Sequence, residues 1–458
     1  MWSSLRQELP AMLRLAVPLV AAELGWMCMG LVDTLMVGRM PNSADAIGAV
    51  GLGSLLFTAV AILGMGIMFG LDTLVAQAFG AGRIAGDLAD CHRALWSGVY
   101  LCLPLGLIST GLVKLWPSIL TRLHTNAEVL PLASAYLRMV SWCALPLLFF
   151  FAFRRYLQAM DLVAPVTFAL VSANLVNLAG NWILIYGHFG MPTMGVVGSA
   201  SATVIARTYM WLVVFGYAIY HDRRYDTHMF RTLGWPDWGR IGMLLKLGLP
   251  AAGQMIAEVG VFTTSTVMIG QLDAASLAGN QIALNVISLT FMVPLGIAGA
   301  AAVRVGQAIG ARDGAGAVRA GWTALALGTT FMSCSAFALL LFPQFVVRAY
   351  TSDPVVIAVG AQLLIAAAFF QIFDALQAIT IGALRGAGDT HTGMLVHFLI
   401  YWAVGLPVGY WLCFPIGWGA MGMWAGLSLA VILIGIVLLL FWNRKVRELK
   451  KILIQPIN

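Results

Sequence analysis

Charge is scarce in this sequence. Only 26 Lys or Arg and 19 Asp or Glu occur among 458 residues, 10% of the chain, whereas 60% is apolar. An ordinary soluble domain is about a quarter charged. A soluble fold of this length needs a larger polar shell. The composition therefore excludes a soluble enzyme, a nucleic-acid binder and a secreted disulfide scaffold, and it points to an integral membrane protein. Cysteine is scarce as well. The six are Cys28, Cys91, Cys102, Cys143, Cys334 and Cys413; five lie in apolar runs and no two form a Cys-x-x-Cys pair. They read as small packing residues rather than disulfides or zinc ligands. No phosphate-cradling Gly-x-x-x-x-Gly-Lys-Ser/Thr loop, no His-Glu-x-x-His and no Gly-x-Ser-x-Gly occurs, and the seven histidines are scattered. The chain is thus expected to be no enzyme and to carry no cofactor.

Apolar runs are what the sequence has in plenty. A bilayer core of ~30 Å takes about 20 apolar residues per helix. Runs of that kind fall at 12–37, 47–76, 93–113, 131–153, 165–186, 195–219, 241–269, 277–305, 320–342, 355–382, 392–414 and 419–442. They do not alternate as barrel strands do. Twelve spans are predicted, with no soluble domain between them. With the N-terminus placed in the cytoplasm, 20 basic residues fall on the cytoplasmic side and 5 outside, with Arg207 inside a span. The cytoplasmic set includes Arg6, Arg154, Arg155, Arg231, Arg304, Arg385 and the tail residues Arg444, Lys445, Arg447, Lys450 and Lys451. That asymmetry orients the chain with both termini inside and accounts for the basic balance without nucleic acid. The tail 443–458 reads either as a basic helix on anionic lipid or as a plain solvated end.

The chain repeats itself. Arg14-Leu-Ala-Val-Pro18 matches Lys246-Leu-Gly-Leu-Pro250, and Asp33-Thr-Leu-Met-Val-Gly38 matches Ser265-Thr-Val-Met-Ile-Gly270, both shifted by 232. Ala76-Gln-Ala-Phe-Gly-Ala81 matches Gly306-Gln-Ala-Ile-Gly-Ala311 at 230, and Gly195-x-x-Gly198 matches Gly419-x-x-Gly422 at 224. Four matches in order define two halves of six spans, 1–229 and 230–458. Six is even, so both halves enter the membrane from the same side and are related by an axis along its normal. The expected fold is an all-α polytopic membrane protein of twelve helices in two pseudo-symmetric six-helix bundles. A bundle pair of this kind is the architecture of a secondary transporter. The first span, basic and then apolar, resembles a leader peptide, but its repeat partner argues that it is structure.

Acids inside apolar helices cost ~2.5–3.5 kcal/mol each on insertion scales and mark ion pathways. Glu23, Asp33, Glu258 and Asp374 sit well inside spans, and Asp72 lies nearer a span end. Such an acid either binds a proton or stays ionised and holds Na+. The structural alternative is a buried ion pair, such as Glu23 or Asp33 with Arg207. Asn174, Asn177 and Asn181 share one face of the fifth span. Their amides suit a cation or a carboxylic acid, or simply hold two helices together. Pro18 and Pro250 occupy matching positions and are candidate hinges, with a static kink as the alternative. Gly66-x-x-x-Gly70 and Gly422-x-x-x-Gly426 permit close helix approach. His397, inside the eleventh span, reads as a hydrogen-bonded structural histidine.

Several segments together resemble the multidrug and toxic compound extrusion (MATE) family, in its bacterial NorM-like branch. They are Val32-Asp33-Thr34-Leu-Met-Val-Gly-Arg39, Gln77-Ala-Phe-Gly-Ala-Gly82, Asn177-Leu-Ala-Gly-Asn181-Trp-Ile-Leu-Ile-Tyr-Gly187, Val293-Pro-Leu-Gly-Ile297, Val305-Gly-Gln-Ala-Ile-Gly310, Gln371-Ile-Phe-Asp374-Ala-Leu-Gln377 and Leu384-Arg-Gly-Ala-Gly-Asp-Thr390. The resemblance covers essentially the whole chain. It implies two lobes around a V-shaped cleft in a bacterial inner membrane, and a monomer that exports cationic hydrophobic compounds against Na+ or H+. It assigns coupling to Asp33 with Asn177 and Asn181, and to Glu258 with Asp374, either group being a possible Na+ site. Glu23, Asn174 and Arg207 are possible additions; Glu23 matches no acid of the family pattern. The alternative reading is a lipid-linked precursor flippase of a related two-lobed fold. That function calls for a strongly cationic cleft, and only Arg207 is basic well inside a predicted span.

Overall fold

A computed structural model describes residues 2–40, 43–122 and 128–452, with side chains from residue 7 to 451. The side chain of Arg6 and the tail beyond Ile452 lie outside the described residues. All the regular structure among the described residues is helical. Among the described residues, twelve helices are long and apolar enough to cross a membrane: α1 Gln7–Val37, α2 Ser43–Ala85, α3 Ala89–Arg122, α4 Val129–Ala159, α5 Ala164–Tyr186, α6 Gly195–Tyr225, α7 Trp238–Ile269, α8 Ala274–Gly310, α9 Gly314–Leu341, α10 Pro354–Gly386, α11 His391–Cys413 and α12 Gly419–Lys451. They contain the twelve predicted spans to within a residue at each end. Most run further than hydropathy alone indicates, because helical hydrogen bonding does not stop at the edge of an apolar run. Lipid offers backbone groups no partner, and helices satisfy them internally.

Local chemistry sets the ends. Asp273, Asp313 and Asp353 cap α8, α9 and α10, accepting from the amides of Ser276, Gly316 and Val355 at 2.7, 2.7 and 2.8 Å. Such caps satisfy amides that a helix start leaves orphaned. Gly187 ends α5 in the left-handed region at φ 75°. Three helices are interrupted. Ser141–Cys143 is a 3-10 turn within α4. A turn at Phe69 divides α2. Tyr401–Gly405 is π-helical within α11.

The chain divides into two compact units, Ala21–Ala252 and Gly253–Asn458 with Met1–Val20. Both boundaries on α1 and α7 fall inside a continuous helix, two residues beyond Pro18 and Pro250. In the first unit, a Cβ on Gly66 would overlap the Ala252 backbone, so α2 and the start of α7 touch main chain to main chain. In the second, a Cβ on Gly426 of α12 would overlap Gly409 of α11. Both contacts use the small-residue spacing noted in the sequence. Within the second unit, Glu8 near the start of α1 pairs with Arg304 of α8 at 2.6 Å.

Three basic residues counted on the cytoplasmic side are buried in helices. Arg154 and Arg155, just beyond the fourth predicted span, are buried in α4. Arg385 is likewise buried near the end of α10. Hydropathy marked the end of the fourth span too early, because two adjacent arginines look like a boundary. Their partners explain why they are tolerated. Arg154 pairs with Glu23, and Arg155 lies 3.4 Å from Asp72 with its guanidinium 4.0 Å from the Phe69 ring centroid.

Candidate functional site

The first cluster is built on α1, α5 and α6, from residues that all lie within the unit Ala21–Ala252. Asp33 is 6% exposed, and Asn177 and Asn181 are fully buried. The spacing of four puts both amides on one face of α5. Asn181 Nδ2 donates to Asp33 Oδ1 at 2.7 Å and to Asn177 Oδ1 at 3.2 Å. Thr203 Oγ1 on α6 donates to the other carboxylate oxygen, Oδ2, at 2.9 Å. Asn181 Oδ1 and Ser199 Oγ are buried beside this group without a hydrogen-bond partner. Oxygen donors of this kind suit a hard cation or a proton. The charge of Arg207 reaches Asp33, yet among the described residues no basic group forms an ion pair with it. Arg207 instead donates to Cys143 Sγ at 3.0 Å and lies over the rings of Phe57 and Trp26, at 4.7 and 5.7 Å from their centroids.

Two expectations for this half are corrected. Glu23 is ion-paired with Arg154 of α4, not with Arg207. The pair joins residues 131 apart on different helices, so no local spacing links them. Asn174 does not join the Asp33 group. Its Nδ2 donates to the carbonyls of Gly25 at 2.9 Å and Leu170 at 2.8 Å, tying α5 to α1. Asn174 is therefore a packing amide, a turn away from its two neighbours on the same face.

The second cluster joins α7, α10 and α11, through residues that all lie beyond Gly253. Glu258 stands on α7 and Asp374 on α10. Asp374 is 6% exposed, and the Glu258 side chain retains 21% exposure. Gln377 Nε2 donates to Asp374 Oδ1 at 2.7 Å and to the Tyr401 hydroxyl at 3.3 Å. His397 is fully buried. Its Nδ1 donates to the Gly393 carbonyl at 2.9 Å. That bond leaves Nε2 to face Glu258 Oε2 at 4.0 Å. Trp402 Nε1 donates to the Ala257 carbonyl at 3.1 Å, fixing the π-helical stretch beside Glu258. π-Helical stretches are frequent at functional sites.

Sequence reasoning did not find Thr203, Gln377, Tyr401 or the second face of His397. Gln377 follows Asp374 by three residues, a spacing that places both on one helix face. Thr203 and Tyr401 carry no such local signal, since Thr203 reaches Asp33, and Tyr401 reaches Gln377, from another helix.

Twelve membrane-crossing helices with acid clusters buried among them define a multi-pass membrane transporter. The MatE family model matches residues 18–183 and 250–411, one match in each half. The chain belongs to the MatE family, whose members are transporters and not enzymes. It is 34% identical over 450 residues to the probable multidrug resistance protein NorM of Mesorhizobium japonicum, covering 96% of this chain and 95% of that one. It is 34% identical over 443 residues to the protein of that name from Xylella fastidiosa, covering 96% and 92%. Among solved structures, a MATE protein in the bent conformation superposes with a TM-score of 0.85 at 20% identity, covering 98% of both chains. The eukaryotic MATE transporter AtDTX14 gives 0.83 at 21% identity, covering 98% and 99%. These likenesses establish the twelve-helix fold.

Proposed function

We propose that this protein is a secondary active multidrug exporter, moving cationic amphipathic compounds out of a bacterial cell against inward Na+ or H+ by alternating access. One observation carries the reading. Of the five acids noted within or near the spans, Glu23 and Asp72 have arginine partners. Asp33 and Asp374 have no ion pair among the described residues, and Glu258 has only the histidine. A buried acid with hydrogen-bond donors and no fixed countercharge is suited to exchange a mobile cation. The multidrug resistance names of its relatives support export of small molecules. In this reading the protein is a monomer in the inner membrane with both termini cytoplasmic, and the lobes are 1–229 and 230–458. Asp33, Asn177 and Asn181 form one coupling site and Glu258 and Asp374 the other. Pro18 and Pro250 are the hinges; the division of the compact units just beyond each proline supports this.

A cation entering from outside binds a carboxylate, neutralises it and weakens its hold on a cationic cargo. The cargo leaves, the lobes rock, and the cation is released inside. The membrane potential adds ~2.3 kcal/mol per net charge per 100 mV when more positive charge enters than leaves. The flippase reading draws no support from Arg154, Arg155 or Arg207, because the first two are ion-paired and Arg207 lies among aromatic rings.

The test is efflux of a fluorescent cationic dye from proteoliposomes, under a Na+ gradient at fixed pH or a pH gradient without Na+. One of the two gradients is expected to drive efflux. Under Na+ alone, Glu258→Gln and Asp374→Asn are expected to lower the rate at least tenfold if the second cluster couples. Absence of dye movement under both gradients would sink the exporter reading.

A further inference from the structure

The segment between α6 and α7 is fastened along its length to α3. His92, Trp96 and Tyr100 are spaced by four and share one face of that helix. Each donates to a backbone carbonyl of the segment: His92 Nε2 to Thr227 at 2.9 Å, Trp96 Nε1 to Met229 at 3.0 Å and the Tyr100 hydroxyl to Gly234 at 2.5 Å. The Tyr156 hydroxyl donates to His92 Nδ1 at 2.8 Å, which fixes the ring. Asp226 and His228 are held at positive φ, 50° and 59°, and turn the chain onto this track. Three side chains thus convert a connection into a strap with a defined outer face.

That outer face is aromatic and basic. Trp235 is 98% and Trp238 77% exposed, with Tyr225, Phe230 and Leu233 also outward. Arg223, Arg224 and Arg231 are exposed, and none has an ion pair among the described residues. The acids of the segment are engaged within it. Asp222 accepts from Thr227 Oγ1 and the Met229 amide, both at 2.7 Å. Asp226 meets His228 at 3.1 Å, and Asp237 meets Arg240 at 3.1 Å. Tryptophan at the end of a membrane-crossing helix sits at headgroup level, and free basic residues there attract anionic lipid.

We propose that residues 220–238 are a binding strap for anionic phospholipid in the leaflet beside them. The phosphodiester is held by Arg223, Arg224 and Arg231, and the strap is anchored by Trp235 and Trp238. The clamps to α3 order the backbone beforehand, so binding loses little conformational entropy. The proposal needs only a membrane-spanning chain and is independent of the coupling ion.

The test uses fluorescently labelled phosphatidylglycerol, titrated into the detergent-purified full chain. Arg444, Lys445, Arg447, Lys450 and Lys451 are changed to Gln so that the tail does not contribute. Arg223→Gln/Arg224→Gln/Arg231→Gln is expected to weaken binding about a hundredfold, about fivefold for each arginine. Unlabelled phosphatidylglycerol competes, and phosphatidylcholine or inorganic phosphate does not. A second measurement needs no change to the arginines. A spin label on Trp235→Cys, with the exposed Cys28 and Cys334 changed to Ser, is expected to meet oxygen more readily than a water-soluble nickel chelate in phosphatidylglycerol vesicles. Unchanged lipid affinity in the triple variant, or a label as accessible to nickel as an aqueous loop, overturns the proposal; the latter result would leave the face to a soluble partner.

Discussion

Asp33→Asn is expected to stop ion-driven dye efflux, with a fall of at least tenfold, while the protein still folds. The change is nearly isosteric; it removes the charge and turns one acceptor into a donor. Asn181 Nδ2 and Thr203 Oγ1 both donate to the present carboxylate, so an amide nitrogen at position 33 meets one donor head-on. The buried Asn181 Oδ1 has no partner. A turn of that amide offers an acceptor and relieves the conflict, so stability falls little. What is lost is the ability to hold a proton or Na+. Thr203→Val tests the support alone. It keeps the shape and removes one hydrogen bond to a charged group, worth ~1.5–3 kcal/mol. The ion concentration that gives half-maximal efflux is expected to shift about tenfold, and Thr203→Ser is expected to restore most of the wild-type dependence. An Asp33→Asn protein that still exports dye at the wild-type rate under both gradients would remove Asp33 from the coupling machinery and leave the second cluster to act alone.

Hydropathy and spacing carried some of this architecture and not the rest, for identifiable reasons. The twelve helices were legible because each must hide its backbone from lipid over a fixed thickness, which forces long apolar runs. Asn177 and Asn181 were legible as partners because they share a helix and a period. The Glu23–Arg154 pair was not legible, because it joins residues 131 apart and nothing in either neighbourhood names the other. Periodicity reports which face of a helix a residue occupies, but not which helix stands opposite. The same limit hid Thr203 from Asp33 and His397 from Glu258. Adjacent arginines also carry two meanings. Beside a span they mark a boundary, and inside a bundle they mark acids to be neutralised. The sequence around Arg154 and Arg155 does not distinguish these.

Glu23 is the residue whose role the pairing decides, and the decisive experiment separates stability from transport. The Arg154 side chain is 2% and the Glu23 side chain 14% exposed. Removing one partner from such a pair leaves an uncompensated buried charge, at a cost of about 3–5 kcal/mol. Arg154→Ala is therefore expected to lower the apparent Tm in detergent sharply and to reduce the yield of folded protein. The double variant Glu23→Gln/Arg154→Met removes both charges and keeps the volume. Replacing a whole buried pair by groups of similar size is often neutral, so most of the lost Tm is expected to return. Its transport then carries the information. If dye efflux returns with stability, Glu23 is a structural anchor between α1 and α4, and coupling rests on acids without a fixed countercharge. Stability that returns without efflux would make Glu23 part of the cation path, with Arg154 acting as the internal charge that an entering cation displaces.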